Sequence, residues 1–191
     1  MSDVLAAVEA ALVEHFAHRP QRASVSFVGV ESIEVLRFEP VPGERAFVSL
    51  GMSRHPMTGA AELVQAADGP RAELMLHVHD PTDQYADVWR KVAVLAAAPS
   101  VEGVVHTPGM SLDLGEPLVA DSVCTGVLVT ESPLADIATD VGPVAVLQAV
   151  PATSTELAWC RVRGSAALRE RWTDVNTDLL DLTRRAVALD G

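Results

Sequence analysis

The feature that most constrains this chain is a change of hydrophobic period after Pro20. Before it, Leu5, Val8, Leu12 and Phe16 recur at helical spacing, and Ser2 is placed to cap the amphipathic helix they define. After it come short runs rich in β-branched residues: SVSFVGV (24–30), SIEVLRFEP (32–40) and, past Pro42 and Gly43, RAFVSLGMS (45–53). Residues 61–67 and 71–78, joined by Asp68, Gly69 and Pro70, have the pattern of a β-hairpin whose turn Asp-Gly favours. Short strands joined by tight turns predict a twisted, mostly antiparallel sheet over about residues 24–78.

The second half alternates differently. Asp80-Pro81-Thr82-Asp83 reads as a helix start, with Asp80 as cap, Pro81 in the first turn and Asp83 adding negative charge there. Tyr85, Val88, Trp89, Val92 and Leu95 line one side of that helix, which is expected to stop at Pro99. GVLVTES (126–132) and VAVLQAV (144–150) read as strands, the second apolar enough to be buried. Thr153 and Glu156 have capping-box spacing for a helix through about Arg163, with Gly164 suited to a left-handed cap. Ser165 begins a further helix through Trp172, and Asn176 or Thr177 a last one along Leu179, Leu180, Leu182 and Val187. The expected architecture is one α+β domain, residues 1–191: a twisted, mostly antiparallel sheet, covering helices and a helical C-terminal tail.

Charge restricts what such a domain can bind. The chain carries 14 Lys+Arg against 26 Asp+Glu, a formal charge of −12, which excludes nucleic acid held through a basic stripe. From Val92 to Cys160 there is no Lys or Arg, while Glu102, Asp113, Glu116, Asp121, Glu131, Asp136, Asp140 and Glu156 all fall inside. This stretch is either a solvated surface or an acidic face for a basic partner. No apolar run reaches the length of a membrane-spanning helix, and the N-terminus lacks a signal-peptide pattern, so a cytoplasmic chain without membrane contact is expected. Cys124 and Cys160 lack metal or redox spacing and read as buried apolar residues.

Catalytic and cofactor signatures are sparse. His77 and His79 share one strand face, and His15 and His18 stand three apart on the first helix. The first pair has Asp80 beside it but no Cys or His partner, and the second lacks a carboxylate or thiolate cluster, so both read as surface histidines and no metal is expected. Ser53 has His55 nearby in sequence but no G-x-S-x-G elbow. A hydrolase built on a Ser/His pair assembled by folding is the alternative function. Neither G-x-G-x-x-G nor a phosphate-binding loop occurs, and no cofactor is expected.

Five segments in order carry a family resemblance. VSLGMS (48–53), RAELML (71–76) with the run before it, and Trp89 through Pro99 come first. GVVHT (103–107) with GEPL (115–118) and TGVLV (125–129) follows, and VAVLQAVPATSTELAW with Gly164 closes the set. Over roughly residues 25–185 the chain resembles the Suppressor of Fused domain family in its short bacterial form. Within the first segment Gly51 suits a permissive turn, Met52 packing and Ser53 a local backbone bond. The resemblance implies a non-catalytic protein-binding module, similar to immunity proteins that neutralise polymorphic toxins by stoichiometric binding. The partner it implies is a protein; together with the basic-free stretch 92–160 this points to a basic toxin domain, with Asp113, Glu116 and Asp121 as contact residues because they lie in the irregular part of that stretch.

Overall fold

The computed structural model describes residues 3–59, 69–85 and 87–189. The first helix, α1, is Val4–Phe16, and the side chain of Asp3 accepts the amide hydrogen of Leu5. Asp3 is thus the cap; Ser2, expected there, lies outside the described residues. Four strands follow: β1 (Gln21–Phe27), β2 (Val30–Phe38), β3 (Glu44–Leu50) and β4 (Arg71–His79), with a 3-10 turn at Met52–Arg54. The first strand of the expected hairpin, 61–67, falls outside the described residues, whereas its second strand is β4.

The second half supplies α2 (Val88–Glu102), β5 (Ser111–Asp113), β6 (Cys124–Glu131), β7 (Val144–Thr153), α3 (Ser154–Arg163) and α4 (Ser165–Asp174). All seven strands form one open sheet in the order β1-β2-β3-β4-β7-β6-β5. Every neighbouring pair is antiparallel except β4 and β7, which run parallel. The sheet is therefore wider than the 24–78 expectation, because β7 inserts beside β4 and carries β6 and β5 with it. Among the described residues its free edges are β1 and β5.

Alternation along the strands sorts the core into two faces. Ile33, Val35, Phe47, Leu74, Leu76, Val127, Val129 and Ala149 pack with the buried side of α2. Leu36, Phe38, Ala46, Val48, Met75, Val144 and Val146 pack with Val8 and Leu12 of α1. Leu128, Val150 and Ala152 meet Leu157, Cys160, Leu168 and Trp172 of α3 and α4. Since 144, 146, 150 and 152 share parity on β7, α1 and the α3–α4 pair cover the same face at different ends.

Several boundaries moved, each for a physical reason. The helix expected from Asp80 begins at Val88, because the buried Asp80 carboxylate instead accepts the amides of Gln84 and Tyr85 in a preceding turn. Asp83 there has φ +55°, outside any helix. At the other end α2 runs through Pro99 to a left-handed Gly103. β7 continues through Pro151, whose carbonyl faces Arg184 Nη2 at 2.9 Å and not β6. The missing proline amide hydrogen therefore costs no ladder bond on that side.

The capping box at Thr153 and Glu156 forms as expected, and α3 and α4 make the helical C-terminal tail. Gly164 ends α3 with φ +91° and ψ 156°, a positive φ but not the left-handed helical cap. The last expected helix, through Leu179–Val187, does not form. Asp178 and Asp181 turn their side chains onto the amides of Leu180 and Thr183, and Leu182 and Arg184 are buried as an irregular strap.

Candidate functional site

The acidic stretch reaches the surface as edge strand β5 and the loop 114–123 that follows it. Both sides of β5 are extended by backbone bonds, Val129 N to Met110 O at 2.7 Å and Leu114 N to Thr125 O at 2.8 Å. Gly126 of β6 lets this pairing close: a Cβ there would lie 2.1 Å from Leu112 O and 2.7 Å from Asp113 Cα. The loop then hangs on two buried pegs. Leu118 enters the core under α2. Ser122 Oγ accepts the Cys124 amide and donates to the Leu182 carbonyl of the C-terminal strap.

Asp113, Glu116 and Asp121 all stand exposed around these pegs, so the fold brings the three expected contact residues onto one continuous stretch. Their chemistry differs. Asp113 Oδ1 accepts the Gly115 amide at 3.0 Å, and Glu116 forms an ion pair with Lys91, the single lysine of the chain. Asp121 borders a shallow cleft of about 160 Å³ with Gln84, Tyr85, Val119, Ala120 and Thr183. Burial and the carboxylates of Asp181 and Asp80, with a smaller part from Asp121, push the Tyr85 hydroxyl above its ordinary range. The cleft therefore lies in a negative potential.

One acid of the stretch is not at the surface at all. Glu156 is fully buried: its carboxylate accepts from Thr153 N, Trp172 Nε1, Val187 N and both Nη atoms of Arg184. Burial alone would raise its pKa, but the Arg184 guanidinium and the backbone amides hold it below the usual carboxylate value. Sequence reading missed this pair because its members stand 28 residues apart.

The remaining candidates resolve into structural or surface roles. Ser53 is buried and donates its hydroxyl to Glu73 Oε1 at 2.6 Å, in place of the local backbone bond expected of it. His55 is exposed, with Nε2 3.1 Å from Glu31 Oε2, so the two side chains are engaged apart from one another. His77 Nε2 lies 2.7 Å from Glu44 Oε2, and His79 sits between Glu44 and Asp178 at 3.8 and 3.5 Å. His15 lies in the last turn of α1 and His18 beyond its end, so these two do not share a helix turn. Among the described residues no group of three His, Cys, Asp or Glu side chains is arranged to hold a metal. Cys124 and Cys160 are buried free thiols, and burial pushes both pKa values up.

An open mixed sheet with one acidic, exposed edge and helices on both faces places the molecule among α+β scaffolds that present a surface. The chain belongs to the Suppressor of fused protein (SUFU) family, whose profile matches residues 29–185. A suppressor of fused homolog from Neisseria gonorrhoeae FA 1090 superposes over the whole of both chains, with a TM-score of 0.72 at 16% identity. The Sufu–Fu complex structure matches with a TM-score of 0.67 at 15% identity, covering 96% of this chain and 91% of that one. Drosophila Suppressor of Fused matches with a TM-score of 0.68 at 17% identity, covering 97% of this chain and 51% of the fly protein. These likenesses establish the fold. No curated protein matches the chain. Among the described residues no helix is long and apolar enough to cross a membrane.

Proposed function

We propose that this protein is a non-catalytic binding module, an immunity protein that neutralises a basic toxin domain by occupying it stoichiometrically. The observation that carries the reading is the β5 edge and its loop, where Asp113, Glu116 and Asp121 are exposed on a stretch without any Lys or Arg. A likeness to a Sufu solved together with Fu, and to a bacterial homolog of the same length, supports binding in place of turnover. An acidic face steers a basic partner and raises association rates by about 10–10³ at low salt. A standard interface of about 800 Å² per partner would occupy roughly a twelfth of the 9795 Å² surface.

The test starts from whichever secreted protein with a variable C-terminal domain is encoded beside this chain and co-purifies with it. Combined Asp113→Asn, Glu116→Gln and Asp121→Asn changes should weaken binding and flatten its salt dependence. Because Lys91 already answers Glu116, the single Glu116→Gln change should have the smallest effect of the three. Unchanged affinity in the triple variant would remove these positions from the site.

A further inference from the structure

The turn that follows β3 builds a second pocket at the other side of the sheet, where β2 and β3 are separated from β5 by β4, β7 and β6. It measures about 330 Å³, with an apolar floor of Ile33, Met52, Met57 and Pro99 and a rim of Glu31, Arg54 and His55. Its wall is held rigidly. The fully buried Glu73 of β4 accepts from the amides of Gly51, Met52 and Ser53 and from the hydroxyls of Ser49 and Ser53. Gly51 takes φ +141°, and a Cβ there would press on Ile33 Cδ1 and Ser32 O at 3.2 and 3.3 Å. A preorganised apolar pocket with a polar rim is the form that anchors one large side chain of a partner.

The rim selects the neighbour of that side chain. Arg54 Nη1 and His55 Nε2 both converge on one acceptor, Glu31 Oε2, at 3.0 and 3.1 Å. Among the described residues of the rim, Arg54 keeps N–H groups beyond the one it gives to Glu31, so an incoming carboxylate finds donors to accept from, whereas Glu31 is the one carboxylate and already answers two donors. The rim is open, with His55 and Glu31 60% and 61% exposed, so the pocket suits a projecting side chain. We propose that it binds an aromatic or long apolar side chain of a protein partner carried beside a carboxylate. This site does not depend on the acidic-edge reading.

Methionine methyl groups report on it directly. The full chain, labelled with ¹³C-methyl methionine, is titrated with the peptide acetyl-Trp-Asp-amide, and separately with indole-3-acetate and tryptamine, which carry one ring and opposite charges. The peptide and indole-3-acetate should shift Met52 and Met57 saturably while Met75, on the opposite sheet face, stays fixed. Indole-3-acetate should bind about five-fold tighter than tryptamine, the worth of one hydrogen bond at an exposed rim. Arg54→Gln, with Met75 unshifted as the sign of an intact fold, should erase that preference and leave ring binding. No saturable shift at Met52 and Met57 with millimolar peptide, or equal affinity for the two indoles in the unmodified chain, overturns the proposal.

Discussion

Pro99 has no amide hydrogen, so the Leu95 carbonyl one turn earlier in α2 loses its intrahelical donor. Buried His106 replaces it, donating from Nε2 to Leu95 O at 2.9 Å, and the ring is thereby fixed with its proton on that nitrogen. Burial lowers the His106 pKa from 6.5, the bond to Leu95 opposing only part of the shift. The unfolded chain then takes up the proton first, so this contribution to stability is full above the ordinary histidine value and is lost as pH falls from there. Urea unfolding at about pH 7.5 and about pH 5.5 should show His106→Phe less stable by about 1–3 kcal/mol at the higher pH, since Leu95 O is left unpaired. The same variant should lose less stability than the parent between the two pH values; an unchanged slope would remove His106 as its source. Glu73 makes a comparable prediction without titration. Glu73→Gln puts an amide NH₂ among five donors and should cost about 3 kcal/mol in urea midpoint analysis, while Glu73→Ser orphans all of them and should not fold.

Among the elements, β5 depends on a residue outside itself. Gly126→Ala should drive a methyl into Leu112 O, detaching β5 and raising hydrogen exchange at the Leu114 amide, while α1 keeps its protection. The strap depends on Glu156 and Arg184 in the same way. The Glu156 pKa is depressed in the fold, so its contribution is present above the ordinary carboxylate value and vanishes as pH falls through the folded one. Arg184→Met should cost about 3–5 kcal/mol by leaving a buried charge alone, and should blunt the acid end of the stability curve measured by thermal unfolding. These devices mark the limit of what the chain shows when read linearly. The α1 stripe, the capping box at Thr153 and the strands from β1 to β4 rest on neighbours a few residues away, and they are legible. That the acids at 113, 116 and 121 are exposed was legible too, from charge alone, while their part in binding rests on the proposal. The anchors of Glu73 lie 20–24 residues away and the strap's partner 28, and no periodicity records such pairings. The last expected helix failed for the same reason: its apolar spacing was real, but the contacts that claimed Leu182 and Arg184 were distant.

For the molecule as a whole, an open sheet leaves β1 and β5 as edges that can accept an extended chain by backbone pairing. Face recognition by the acidic residues and strand addition make different demands on a partner. If the face dominates, isolated partner peptides of about ten residues should lose most of the affinity of the intact domain; full retention in a calorimetric titration would give the role to the edge. The parallel pairing of β4 with β7 has a consequence of another kind, during synthesis. β1 through β4 can pair as they emerge, but the strand that covers the outer side of β4 begins some 65 residues after β4 ends. At translation rates of about 5–20 residues per second, that side stays uncovered for roughly 3–13 s. For that interval the nascent chain displays an open backbone edge along β4, already paired on its other side with β3, which makes it a client for ribosome-associated chaperones and the point at which crowded expression should divert it into aggregates.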